Sequence, residues 1–475
     1  MTSSHRRLAR WQRLLARSLL LALAACSTTP PEPDEPARVA PPAEPDKSTL
    51  RLTIVSVGDM MIGTDYPENH LPYDDGVGFL TAVTPWLSSA DIAFGNLEGV
   101  LVDGGEPGKK CSNPGACYLF RSPTRYAEHY RNAGFDVLSL ANNHARDFGE
   151  EGRTASMEAV AAAGMLHTGR EGDFASFEIS GIRVAVLGYA VTKNSNMLLD
   201  YDLAEATVSR FATTHDVVIV SFHGGAEGQD ATHIPFAEEE YFGEPRGDVV
   251  RFSRMVIDSG ADLVIGHGPH VVRGMERYED RLIAYSLGNF ATYYGISVTG
   301  IKGIAPILFT TLDGNGRFVG GEIVSTIQLR PDGPTIDTQQ RALNLVRGLS
   351  AQDFGQSGLT FHVDGNITPA PRPYVPAPCS RQLFEWVDAE VQSGDSMGHG
   401  PDVGSAEWKS VIEFKLGIRG QADLPEADSN AWCGLIHKKI RKAIHKYPGF
   451  MSNALSFQTP GREPRRSPPP RIASS

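Results

Sequence analysis

The sequence predicts an α/β domain built on a largely parallel sheet that helices cover on both faces. Two observations predict it. Short apolar runs recur between residues 52 and 286, and segments of helical spacing separate them. The runs are also continuously apolar rather than alternating, which is the pattern of strands buried on both sides.

The elements follow in order. Leu52–Val57 is a β-branched strand that stops at Gly58-Asp59, and Gly78–Ser89 has helical spacing. Ile92–Phe94 is a short strand that stops at Gly95-Asn96. Ser122 and Pro123 form an N-cap and N1 pair that opens a helix ending near Gly134. Asp136–Leu140 is a strand that stops at Ala141-Asn142-Asn143-His144, and Glu151–Ala163 is a helix closed by Gly164. Ile182–Tyr189, Val217–Phe222, Leu263–Ile265 and Leu282–Ser286 are further strands, with a helix at Asp248–Ser259. Beyond Pro331 the pattern weakens. Phe361–Asn366 reads as a strand, and Arg381–Gln392 and Cys433–Lys446 have helical character. No internal repeat is visible.

The flanks are not fold. Arg6, Arg7, Arg10, Arg13 and Arg17 precede the apolar run Leu19–Ala25, which is too short to span a bilayer. Leu23-Ala24-Ala25-Cys26 resembles a bacterial lipobox, so residues 1–26 read as a lipoprotein signal with Cys26 as the acylated residue. Several acyl chains anchor a protein firmly. Ser27, rather than the Asp that retains lipoproteins at the inner membrane, points to the outer membrane of a Gram-negative envelope, facing the periplasm. Residues 27–50 are a Pro-rich, charged tether, and residues 456–475 are a second tail. Residues 51–330 are then the main domain and 331–455 a small accessory region. The net charge of −12 excludes general affinity for nucleic acid. It leaves an acidic substrate open, because a metal site reverses the local field.

Apart from Cys26, the cysteines are Cys111, Cys117, Cys379 and Cys433, an even set suited to an oxidising compartment. Cys111 and Cys117 flank a turn-forming segment and suit a local bridge. Elimination then pairs Cys379 with Cys433. Free thiols are the alternative.

The informative residues lie where the strands stop, which is where open α/β sheets bind ligands. In sequence these are Asp59; Asn96 and Glu98; Asn143 and His144; His223 and Glu227; and His267 and His270. Carboxylates and imidazoles are the ligands that Zn, Mn and Fe accept. A single strand-end Asp is often only a cap, and a single His is often structural. Successive strand ends of this kind point to a divalent-metal site.

These residues also carry a family resemblance. Val57-Gly58-Asp59, Gly95-Asn96-Leu97-Glu98, Ala141-Asn142-Asn143-His144 with Asp147, Ser221-Phe222-His223-Gly224-Gly225-Ala226-Glu227, Gly266-His267-Gly268-Pro269-His270 and Leu287-Gly288-Asn289-Phe290 resemble the CapA family. That family is associated with synthesis and export of poly-γ-glutamate capsule, and it is similar in turn to calcineurin-like metallophosphoesterases. The resemblance implies a four-layered α/β/β/α sandwich and one or two metals held by Asp59, Glu98, Asn143, His223, His267 and His270. It implies that His144 serves the leaving group. Asp147 orients His144 or caps a turn. Asn96, Glu227 and Asn289 are candidates for substrate contact, although Asn289 equally suits a loop. Two departures stand out. Met61 replaces the second histidine of the phosphoesterase Asp-x-His pair, and His267 and His270 are one residue further apart than in Gly-His-x-His.

The expectation is a lipid-anchored, metal-dependent hydrolase acting on an anionic capsule polymer or its anchor. A periplasmic phosphoesterase acting on a phosphoester, and a non-catalytic subunit of a polymer synthesis and export complex, are the alternatives.

Overall fold

The computed structural model describes residues 47–108, 118–371, 379–394, 400–427 and 429–446, and it resolves the strand–helix alternation into two mixed sheets rather than one. The first sheet has ten strands. Its main path runs Leu359–Phe361, Asn366–Pro369, Phe318–Gln328, Ile304–Asp313, Arg51–Met61, Ile92–Leu97, Val137–Ser139 and Leu166–Thr168. Asn289–Thr292 pairs with the end of Arg51–Met61, and Pro334–Ile336 with Phe318–Gln328. The second sheet has six strands, in the order Met275–Tyr278, Arg281–Ala284, Leu263–His267, Val217–His223, Ile182–Ala190 and Ala175–Ile179. In the second sheet the four inner strands are parallel and the two edge strands antiparallel. In the first, Arg51–Met61, Ile92–Leu97, Val137–Ser139 and Leu166–Thr168 form a parallel half that runs to the sheet edge, and the half from Ile304–Asp313 outward is antiparallel.

Strand alternation then dictates the layers. Leu52, Ile54, Phe94 and Val137 of the first sheet share one core with Val184, Ile219, Leu263 and Ile265 of the second. The other face of the first sheet, through Val55, Val57, Ala93 and Leu138, packs on Leu87, Tyr130, Ala133 and Val160 from helical segments. The other face of the second, through Leu187, Val218 and Val220, packs on Ala204, Val208, Phe252 and Val256 of helices Tyr201–Ala212 and Val249–Asp258. This is the helix–sheet–sheet–helix order that the resemblance implies. Asp248 caps the second of these helices by accepting from the Val250 and Arg251 amides at 3.1 and 2.9 Å.

Several sequence expectations need correction. Gly78–Ser89 is mostly turns, with a helix only at Thr84–Leu87. Ser122 caps nothing. It lies in a short strand and its hydroxyl donates to the Gly63 carbonyl at 2.6 Å, while the helical segment begins at Thr124. Phe361–Asn366 is the turn of a hairpin whose strands lie on either side. The main domain also runs on past residue 330. Helix Arg341–Phe354 puts Leu343, Val346 and Leu349 into the core between the sheets, and the hairpin extends the first sheet to Pro369. Residues 47–50, expected in the tether, belong to the described fold, and Lys47 donates to Asp216 at 2.6 Å.

Helices Arg381–Val391, Ala406–Lys415 and Asn430–Lys446 enclose a core of their own, formed by Leu383, Val387, Trp408, Ile412, Trp432 and Ile436. A disulfide joins Cys379 to Cys433 with a Cα–Cα distance of 5.4 Å. Cys26, Cys111 and Cys117 lie outside the described residues. No helix among the described residues is long and apolar enough to cross a membrane.

Candidate metal centre

The site forms where the carboxyl ends of the parallel strands of both sheets meet, so its residues come from two sheets and not from one edge of one sheet. In the first sheet Asp59 lies in register with Asn96 on one side and Asn289 on the other. The ladders around Asp59 are irregular, and such bulges re-aim a side chain. Gly58 is required for the approach of the next strand: a Cβ there would lie 1.9 Å from the Gly288 carbonyl oxygen, which accepts from the Asp59 amide at 2.8 Å. In the second sheet His223 and His267 are register partners.

Asp59, Glu98 and His223 are buried, and one ligand-type atom of each lies within 4.8 Å of the others. Asn96 fixes both carboxylates. Its Nδ2 donates to Asp59 Oδ1 at 2.8 Å and to Glu98 Oε2 at 2.5 Å. Its Oδ1 accepts from Asn142 Nδ2 at 3.0 Å, so all its polar capacity is engaged inside the protein. Asn142, which the sequence reading passed over, also donates to the Leu97 carbonyl at 2.7 Å and accepts from the His144 amide at 3.0 Å.

Against this network, Glu98 Oε1, Asn143 Oδ1, Asp147 Oδ1 and both nitrogens of His223 have no hydrogen-bond partner, with His223 Nδ1 3.5 Å from Glu98 Oε2. A buried polar atom left unpaired costs about 1–3 kcal/mol. An oxygen-and-imidazole set of this kind is the donor set of Zn, Mn and Fe. The electrostatics agree. Burial, with the Asp59 carboxylate added, pushes the Glu98 carboxyl up to about 7. Burial, with the Arg246 charge added, holds the His223 imidazole well below its usual value. Two acids crowded together call for a cation, and a neutral imidazole is the form that binds one.

The other histidines differ in their partners. His144 Nδ1 is 2.8 Å from Asp147 Oδ2, which also accepts from the Phe120 amide at 2.8 Å. The Phe120 ring lies over His144 at a centroid distance of 4.3 Å, and His144 Nε2 is 4.0 Å from Glu98 Oε1. His270, in left-handed backbone at φ 58°, places Nδ1 at 2.9 Å from both Asp59 Oδ2 and Asn289 Oδ1. Its Nε2 is 3.9 Å from Glu227. Burial opposes its charge, but the Asp59 hydrogen bond together with the charges of Asp59, Glu98 and Glu227 outweighs burial and raises it to about 9. The same bond helps hold Asp59 below the usual carboxylate range despite burial.

His267 is turned elsewhere. Its Nε2 donates to the Val57 carbonyl at 3.1 Å and its Nδ1 lies 3.4 Å from Ser221 Oγ, so both nitrogens are engaged. Asn289 donates to the carbonyls of His270, Ser297 and Lys302, each at 3.2 Å, and holds the loop around His270. Glu227 faces the site and pairs with the buried Arg246 guanidinium at 3.0 Å. No motif announced Arg246 or Phe120, because both reach the site only through tertiary contact.

Residues 53–294, just over half of the chain, match the family described as bacterial capsule synthesis protein PGA_cap. The capsule biosynthesis protein CapA of Bacillus anthracis is 28% identical over 260 residues, which are 50% of this chain and 59% of that protein. The PGA biosynthesis protein CapA of Bacillus subtilis is 25% identical over 284 residues, or 56% of this chain and 70% of that one. Among solved structures, a hypothetical protein from Thermus thermophilus aligns over 58% of this chain and 100% of its own at 17% identity and a TM-score of 0.36. Purple acid phosphatase PPD1 from yellow lupin aligns over 61% and 54% at 12% identity and a TM-score of 0.31, and likenesses that low carry no argument about the site. The family match covers Asp59, Glu98, Asn143, His223 and His270, which lie at or just after strand ends, and the chain belongs to the bacterial capsule synthesis protein family PGA_cap.

Proposed function

We propose that this protein is a lipid-anchored, metal-dependent hydrolase of the bacterial envelope that cleaves an anionic capsule polymer of the poly-γ-glutamate type, or its anchor. The observation that carries the reading is the set of buried, unpartnered donors at Glu98, Asn143 and His223 beside Asp59. Family membership supports the polymer, and Cys26 in its lipobox supports the anchor.

Asp59, Glu98, Asn143 and His223 would hold a divalent cation, with Zn, Mn and Fe as the candidates. Bound there, the cation supplies Lewis-acid polarisation of the scissile group. The chain's own residues do the rest. Asn96 keeps both carboxylates oriented through its paired donation. Asp147 fixes the His144 ring by accepting from Nδ1, so that the imidazolium would present its Nε2 proton on the Glu98 side and pass it to the leaving amine, ending as the neutral ring with its proton on Nδ1. Phe120, stacked on His144, shields that ring from water.

The test is hydrolysis by the purified full-length protein loaded with Mn, Zn or Fe. The reading expects chain shortening of poly-γ-glutamate, reduced about 100-fold or more in His144→Gln with metal retained. Cleavage of phosphodiesters alone would make it a phosphoesterase. No turnover of either, with metal bound, would make it a binding subunit of a polymer-export assembly.

A further inference from the structure

The site described above has room in its chemistry for a single cation, and its surroundings decide the question of a second. We propose that the centre holds one divalent cation per chain, with the buried Arg246 guanidinium supplying the second positive charge. This rests on the metal-site reading.

Three observations carry it. First, Asp59, Glu98 and His223 are the one such metal-competent trio of acidic and histidine side chains among the described residues, and the unpartnered nitrogens of His223 and Oε1 of Glu98 belong to it.

Second, the flank beyond Asp59 is closed by apolar atoms. Met61 is buried in a cluster with Phe120 and Ile296. The loop presses on that cluster so closely that a Cβ on Gly295 would lie 2.8 Å from Phe120 Cε1 and 3.2 Å from Met61 Cε. A thioether in an apolar wall is a poor donor to a cation that prefers carboxylate or imidazole.

Third, the remaining side chains are committed. His267 has both nitrogens engaged, and His270 gives Nδ1 to Asp59 and Asn289. Two ring nitrogens are left: His144 Nε2, which faces Glu98 of the first cation's own ligand set at 4.0 Å, and His270 Nε2, which faces Glu227 at 3.9 Å. Glu227 in turn neutralises Arg246 at 3.0 Å. A second dication at this point would share Glu227 with a guanidinium that is 1% exposed and unable to move into solvent. Like charges that share one carboxylate and are shielded from water repel strongly. The arginine and the second cation are therefore mutually exclusive, and the arginine is built in.

The experiment is metal titration of the metal-stripped full-length protein with Mn(II), read by calorimetric stoichiometry, by elemental analysis after gel filtration, and by electron paramagnetic resonance. The expected result is one Mn(II) per chain at saturation with an isolated-ion spectrum, unchanged in number in His270→Gln and absent in His223→Ala. Two Mn(II) per chain with a spin-coupled spectrum, falling to one in His270→Gln, would overturn the inference. No binding at all would overturn it too, but by removing the metal-site reading beneath it, which the stoichiometry distinguishes from a count of two.

Discussion

His223 and His267 sit side by side at the ends of neighbouring strands, in register and equally buried, yet their surroundings differ completely. Both nitrogens of His223 are unpartnered beside Glu98 and Asp59, whereas His267 reaches across to the first sheet and bonds the Val57 carbonyl at 3.1 Å. One strand end is shaped to receive something and its neighbour to tie two sheets together. A histidine at a strand end therefore takes its role from where its lone pairs go, not from the motif it stands in.

The contrast is sharpest under alanine replacement. His223→Ala should weaken metal binding by more than about 100-fold and leave the fold intact, because an outer-shell loss alone costs 10–100-fold. His267→Ala should keep the metal and lower stability by about 1–3 kcal/mol, the cost of stranding the Val57 carbonyl, seen as a lower Tm. Loss of metal from the His267 variant with full stability would reverse the two roles.

A smaller effect is expected at Asn96, which holds both carboxylates. Asn96→Ala should cost about 10–100-fold in metal affinity by calorimetry. An unchanged affinity would mean that the carboxylates need no orienting partner.

The pH dependence is more modest and has a definite sign. Burial raises Glu98 from 4.5 to about 7 in the metal-free fold, so the protonated acid is the favoured folded form. Its stabilising contribution is complete below 4.5 and is lost as pH rises through about 7. A cation replaces that proton. The rise in Tm on adding metal should therefore grow across this window, and Glu98→Gln should flatten it. A metal-induced shift that shrinks with pH would contradict the assignment. The smallest effect belongs to Met61→Leu, a volume-conserving change that should cost less than about 1.5 kcal/mol and leave the metal count unchanged.

Much of this was legible in the sequence. The strands Arg51–Met61, Ile92–Leu97, Val137–Ser139, Val217–His223 and Leu263–His267 announce themselves as apolar runs, and the residues at and just after their ends name the site. The long strands Ile304–Asp313 and Phe318–Gln328 did not. Pro306 and Thr310-Thr311 interrupt one, Gly320-Gly321-Glu322 the other, so neither reads as a continuous apolar run. Their antiparallel pairing is what makes the first sheet mixed. His267 was opaque for a different reason: its partner Val57 is 210 residues away. The engagement of Asn96 and Asn289 was equally hidden, since an amide with free donors and one whose donors are all bonded look the same in a sequence. Arg246 stands outside every motif and reaches the site only because its strand carries it to Glu227.

The most direct test of the central claim is anomalous diffraction from crystals of the protein soaked in Mn(II) or Zn(II). The account predicts one strong peak per chain, bounded by Asp59, Glu98, Asn143 and His223, with His267 still bonded to the Val57 carbonyl. A peak ligated by His267, or saturating metal with no peak between the two sheets' strand ends, would contradict it.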